Sequence, residues 1–287
     1  MQKLMVFLCI VSCFFAQAAY LEGQSANDAM ANMANMEKAL NNADAEFTPQ
    51  DAYYLGRTVA ANILAAYKPY ENREITLYLN RICQALVINS PQPVSFNGYQ
   101  VMILDSPEFN AFATTGGHIF LTKKLVESTA SEDMLAAVIA HELAHIMLKH
   151  SIAIINDMQF ANEMTATANQ AAAFSGRNAN TDRLMQFRNS ISKTMDTIMK
   201  NGYSQTQEFE ADRGAIELLA RAGYNPGAML EQLRVLQRVQ KSETGGFFTT
   251  HPSPAERIAN AEKVRSPRIP DTRKNRTARF KKVASWS

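Results

Sequence analysis

Apolar positions recur at helical spacing through most of the chain and change period once, between about residues 94 and 121. From Ser25 to Ala66 the pattern predicts two helices, separated near Thr48-Pro49, where Pro suits a first helical position. Glu71 to Ile88 reads as another helix, stopped by Ser90-Pro91. Val94 to Phe96 and Tyr99 to Leu104 then read as strands joined at Asn97-Gly98, a strong hairpin signal. Phe109 to Ala113 and His118 to Leu121 read as a second strand pair around Gly116-Gly117. A short helix over Thr122 to Thr129 follows. Ser131-Glu132-Asp133 then provides a cap and first-turn acids for the next helix. That helix contains Val138 to Leu148, an alanine-rich apolar run without Gly or Pro, which is the signature of a buried helix. Ile152 to Lys200 is helix-forming but polar, too polar for a membrane hairpin, and reads as a lid or as a connecting pair of helices.

The candidate chemistry is set into the apolar run as His141, Glu142 and His145. Residues four apart share a helix face, so both imidazoles can converge on one ion. Glu142 lies about 100° from His141 around the helix, within reach of water at such an ion. Together a metal and a carboxylate generate hydroxide near neutral pH: the ion lowers the water's pKa and the carboxylate takes its proton. Two His and one Glu buried without partners would each cost several kcal/mol, so a chance match is a poor account of them. His150, nine positions after His141 on a continuous helix, is expected on the opposite side as a cap or surface residue.

A second amphipathic helix is predicted from Glu208 to about Ala222. Glu208 and Asp212 share a face, while Glu210 points about 160° away from Asp212. One of the two carboxylates can bind a metal while its neighbour holds a ligand imidazole by its second nitrogen. The competing reading is a solvated acidic face.

Composition changes this picture only at the ends. The chain of 287 residues is 46% hydrophobic and 20% charged with a formal net charge of +2, the profile of an ordinary globular protein. Residues 1–18 read as a targeting segment: Lys3, an apolar run from Leu4 to Phe15, and the small-x-small signal Ala16-Gln17-Ala18. Ile10-Val11-Ser12-Cys13 offers the competing reading of a lipid anchor on Cys13, against which stands the apolar Phe14-Phe15. Either reading implies an exported chain, with the periplasm as the expected compartment. Cys83 alone remains beyond that segment, and its helical spacing with Leu79, Ile82 and Leu86 reads as core packing. A Met stripe at 30, 33 and 36 reads the same way. Residues 265–287 carry about +7, leaving about −5 on the rest, and Pro267 and Pro270 favour a flexible tail. Such a tail reads first as solvated chain with no fixed partner and otherwise as suited to a membrane surface or cell-wall acids, and export argues against nucleic acid.

The pairing of His141-Glu142-x-x-His145 with Glu208-x-x-Ala211-Asp212 resembles the HtpX-type zinc metallopeptidases, the family that includes the Oma-type and CAAX prenyl proteases. Asn110-Ala111-Phe112-Ala113 with Gly116-Gly117, and His251-Pro252-Ser253-Pro254-Ala255-Glu256-Arg257-Ile258, extend the resemblance over roughly residues 50 to 262. It implies a mainly α gluzincin-type catalytic domain with a small β-sheet, over about 25–264. It also implies one Zn²⁺ held by His141, His145 and Glu208, Glu142 as general base, and Asp212 behind a ligand. Asn110 and Ala111 would lie on the substrate-binding strand, and His251 near the metal. The expected substrates are unfolded or misfolded proteins, as in quality control, and the chain resembles minimal exported members without transmembrane spans. His251 has a physical reading of its own, since Pro252 and Pro254 stiffen its segment. It can donate to an oxyanion, occupy the open zinc position as a latch, or be an ordinary loop residue; Thr244-Gly245-Gly246 upstream would let the segment swing. A non-proteolytic chaperone on the same scaffold is the alternative function, and the intact Glu142 weighs against it.

Overall fold

A computed structural model describes residues 48–157, 202–240, 251, 254–265 and 273–283. The targeting segment with Cys13, the Met stripe, residues 158–200, Thr244-Gly245-Gly246 and Pro252 lie outside the described residues. The described chain is mainly α with one small sheet. Its elements are α1 (Pro49–Ala66), α2 (Arg73–Ile88), β1 (Gln100–Leu104), β2 (Ala111–Ala113), β3 (His118–Thr122) and α3 (Lys123–Glu127). They continue with α4 (Glu132–Met147), α5 (His150–Asp157), α6 (Gln205–Arg221), α7 (Ala228–Val239), α8 (Pro254–Ala261) and α9 (Arg273–Val283).

The sheet has the order β1-β3-β2. β1 runs parallel to β3 with Gln100 opposite His118, and β2 runs antiparallel to β3 with Phe112 opposite Phe120. Every residue of β3 is buried, as befits a central strand covered on both faces. Ala60 and Ile63 of α1 pack with Leu104, Phe112 and Phe120 on one face. On the other face Val101, Ile103, Ile119 and Leu121 join Leu79, Leu86, Leu135, Ile139 and Leu143 in the main core. α1 approaches the β2–β3 turn so closely that a Cβ at Gly56 would clash with the Gly116 nitrogen. Cys83 sits in the main core, fully buried, and burial pushes its thiol up to about 12, so it is unreactive packing.

Two expectations are corrected here. Residues 94–96 form no strand: Asn97-Gly98 does turn, with Gly98 at φ 76°, but β1 finds its partner in β3. The reason is local, because Pro91 and Pro93 offer no N–H to a ladder, and Val94 and Phe96 face solvent.

The basic terminus is the second correction, since residues 273–283 form helix α9, packed on α2 and α4 rather than a flexible tail. Like-charged composition reads as solvated, yet two of these arginines find buried acids at the first turn of α4. Arg276 Nε donates to Asp133 Oδ2 at 3.0 Å, and Arg279 Nη2 donates to Glu132 Oε1 at 2.6 Å. Tyr78 also donates to Glu132 at 2.8 Å, the Asn225 N–H donates to Asp133 at 2.7 Å, and Phe280 anchors the helix in the core. Arg276→Met is therefore expected to cost about 1.5–3 kcal/mol, the range of a hydrogen bond to a charged group. Lys281→Met, on the exposed face, should stay within about 0.5 kcal/mol of the parent. Urea unfolding midpoints of the two variants check this.

Candidate metal centre

α4 starts where the Ser131 hydroxyl accepts from the Met134 N–H at 3.2 Å, and it runs through the core with nearly every residue buried. It therefore carries His141, Glu142 and His145 into the interior, each at most 2% exposed. α6 starts on a capping box of Ser204 and Gln207 and crosses α4 closely. A Cβ at Gly214 would touch the Ala144 methyl at 3.0 Å, so small residues at the crossing set the approach. That crossing lays Glu208 and Asp212, both buried, over the histidines, while Glu210 turns outward with its side chain half exposed.

Four side chains converge. One ligand atom from each of His141, His145, Glu208 and His251 lies within 4.8 Å of every other. His145 Nε2 is 3.0 Å from His141 Nε2 and 3.3 Å from Glu208 Oε1. His251 Nδ1 lies 2.8 Å from Glu208 Oε1 and 3.4 Å from His141 Nε2. Two imidazoles and a carboxylate, with a third imidazole in reach, form a donor set suited to a divalent transition metal. Glu142 adds a second indication. Both its oxygens are buried without a hydrogen-bond partner among the described residues, with His251 Nε2 3.8 Å from Oε1. A buried carboxylate left so is a feature that calls for a ligand or water at that point.

The electrostatics fit a cation at the centre. Burial and the Arg257 guanidinium both oppose a charged His141, yet its bonds to Asp212 and Glu208 hold it up at about 9. Burial instead drives His145 well below its usual value. Burial alone would raise Glu208, but the neighbouring His251 and Arg257 hold it well below the usual carboxylate range. Asp212 is held low against burial mainly by Arg257. Glu142 goes the other way, pushed up by burial.

Several participants were not identified from the sequence. Arg257, fully buried on α8, donates from Nε and Nη2 to Asp212 at 2.9 and 2.6 Å, and its Nη1 lies 2.8 Å from Glu208. Asp212 in turn lies 3.0 Å from His141 Nδ1. A signal was present: Arg257 shares the buried face of α8 with Pro254 and Ala261, where a charge demands partners. Tyr203 stacks on the His145 ring at 3.9 Å and had no such signal. His150 is a correction. It is neither a surface contact nor a cap, for it is 3% exposed and its Nδ1 lies 2.8 Å from His145 Nδ1. The prediction assumed one continuous helix, whereas α4 ends at Met147 and Lys149 takes φ 57° before α5 begins. His118 is buried away from the cluster, bonded to Thr114 at 3.0 Å and stacked on Tyr53.

β2 is an edge strand among the described residues. Thr122 N–H bonds to the Asn110 carbonyl and Thr114 N–H to the His118 carbonyl, so Asn110, Phe112 and Thr114 turn their main-chain groups toward β3. Ala111 and Ala113 consequently present theirs outward. Asn110 immediately precedes β2, and its side-chain oxygen accepts from the Ala111 N–H at 2.9 Å.

Comparison with known proteins came to the same place. The profile of "Peptidase family M48" matches residues 72–265, a stretch that holds every residue of the cluster. The "Beta-barrel assembly-enhancing protease" of Escherichia coli (strain K12) is 27% identical over 189 residues, covering 65% of this chain and 38% of that protein. "Metalloprotease LoiP" of the same organism is 27% identical over 187 residues, covering 65% of this chain and 69% of its own length. The "Mitochondrial metalloendopeptidase OMA1" of Schizosaccharomyces pombe (strain 972 / ATCC 24843) is 27% identical over 217 residues, with shares of 74% and 58%. The chain thus spans well under half the length of the first of these relatives.

Proposed function

The chain belongs to peptidase family M48, and from that premise we propose that it is a zinc-dependent endopeptidase acting on unfolded or misfolded exported proteins. The observation that carries the reading is the convergence of His141, His145 and Glu208 beside the carboxylate of Glu142, whose oxygens make no hydrogen bond among the described residues. His141, His145 and Glu208 would hold one Zn²⁺, and Asp212, tied to Arg257, orients His141 through Nδ1. When bound, the ion acts as a Lewis acid, acidifying water and polarising the scissile carbonyl. Glu142 accepts the proton of the attacking water on its carboxylate and delivers it to the departing amide nitrogen. An extended substrate pairs with the outward main-chain groups of Ala113 and the Ala111 carbonyl, as strands add to a free edge. Asn110 keeps the Ala111 N–H satisfied and shapes that edge.

The relatives' names support protein substrates, and the β-barrel assembly named for the Escherichia coli relative supports a role in quality control in the periplasm. No described helix is long and apolar enough to cross a membrane. The exposed Lys274, Lys281 and Lys282 of α9 form a basic surface suited to lipid headgroups or cell-wall acids. Casein hydrolysis by the purified chain, lost with a chelator and restored by zinc, tests the reading. Bound zinc without hydrolysis would favour the chaperone alternative.

His251 would act as a latch on the metal, since its Nδ1 lies 2.8 Å from Glu208 Oε1 and 3.4 Å from His141 Nε2. His251→Ala is then expected to raise turnover and to weaken zinc retention. A fall in kcat on the order of 100-fold at unchanged KM would instead make His251 an oxyanion donor. If kcat, KM and zinc content all match the parent, both roles fall.

A further inference from the structure

The His145 ring has a second attachment, on the side away from the ligand cluster. Its Nε2 faces His141 and Glu208, while its Nδ1 lies 2.8 Å from His150 Nδ1, with ring centroids 4.9 Å apart. The other nitrogen of His150, Nε2, lies 3.2 Å from Glu210 Oε2. The break at Lys149 creates this arrangement by turning the start of α5 back under the last turn of α4. Tyr203, stacked on His145, ties its hydroxyl to Ser151 at 2.8 Å, so the same segment is held on both sides of the ring.

Two ring nitrogens at that distance share one proton, so one donates and the other accepts. The direction follows from the ligand role. A neutral imidazole that gives its Nε2 lone pair to a metal carries its proton on Nδ1. His145 Nδ1 therefore donates to His150 Nδ1, which leaves the His150 proton on Nε2, facing the Glu210 carboxylate. From this we infer that His150, backed by Glu210, is a positioning residue for the metal ligand His145, fixing its tautomer and ring orientation. This inference rests on the metal-centre reading. It gives the two ligand histidines different supports: a carboxylate locked by Arg257 for His141, and an imidazole backed by a half-exposed carboxylate for His145. The sequence reading had placed both His150 and Glu210 away from the chemistry.

Loss of an outer hydrogen bond to a ligand histidine typically weakens metal binding by about 10–100-fold. The test is competition for zinc between a chromophoric chelator and the full chain carrying His150→Leu, His150→Asn or Glu210→Ala. His150→Leu fills the space but cannot accept, and is expected to weaken zinc by about 10–100-fold. His150→Asn can place its amide oxygen where Nδ1 stood, and is expected to recover most of that loss. Glu210→Ala, at a half-exposed side chain, is expected to weaken zinc a fewfold and to fold normally, so it tests the relay even if His150→Leu does not fold. Parent-like zinc affinity in both His150→Leu and Glu210→Ala overturns the inference. Equal weakening in His150→Leu and His150→Asn also overturns it, because packing and not acceptance would then be what His150 provides. The parent and Glu208→Ala separate this inference from its premise. A parent that binds no zinc takes down both readings. Stoichiometric zinc in the parent, lost in Glu208→Ala and unaffected by the relay variants, removes the relay alone.

Discussion

Glu142→Gln should abolish peptide hydrolysis, by on the order of 10³-fold in kcat, while the protein keeps its zinc and its fold. The argument is geometric. The converging ligand atoms come from His141, His145, Glu208 and His251, and Glu142 contributes none of them. Its two oxygens make no hydrogen bond among the described residues, so the amide of Gln breaks no described hydrogen bond of α4. What the amide cannot do is accept the water's proton. Casein hydrolysis, zinc content and the unfolding midpoint, measured on one preparation, separate these effects. Full activity in this variant removes Glu142 as the base. Loss of zinc along with activity would mean that the carboxylate belongs to the ligand set.

Arg257→Met should be the most destabilising single change at the site, costing about 3–5 kcal/mol of folding free energy, the usual result of stranding a buried charge. Arg257 is fully buried and bonds Asp212 through two nitrogens while a third faces Glu208. Met nearly fills its volume, so the loss measures charge and hydrogen bonding more than a cavity. A pH signature accompanies it. Arg257 helps hold Asp212 and Glu208 below the ordinary carboxylate range, so the folded state resists their protonation more than the unfolded chain does. Their stabilising contribution is present above about pH 4 and is lost as pH falls through the depressed folded values. Without Arg257 the depression shrinks, and the acid-side slope of stability should flatten. Urea unfolding of parent and variant between about pH 3 and pH 7 measures both effects. A cost under about 1 kcal/mol with an unchanged slope would show that Arg257 is a bystander.

Helix phase made much of the site legible in the sequence. His141 and His145 at a spacing of four, and Glu208 and Asp212 at the same spacing, each had to share a face, and the structure sets the two faces against one another. Strand periodicity located β2 and β3 and their antiparallel pairing. It failed at residues 94–96, because the pattern reports a pleated surface and says nothing of which strand will be the partner. The terminal basic segment failed for a related reason. Composition sums charge without position, and Arg276 and Arg279 matter because Asp133 and Glu132 stand opposite them.

Taken alone, the sequence determined most of the described helices, the strands β1, β2 and β3, the two helices that bear the clustered His and Glu residues, and the family to which those motifs belong. These depend on local period and short spacing, which are properties of neighbouring residues. Only the tertiary structure decided which groups stand behind the converging histidines. Arg257 reaches Asp212 across 45 residues of chain, Glu210 reaches His150 across 60, and His150 reaches His145 through a turn at a single left-handed residue, Lys149. Such contacts are fixed by helix crossings and by one backbone angle. A helix phase carried through Leu148 and Lys149 as if unbroken points His150 the wrong way, and no spacing rule contains the angle that turns it back.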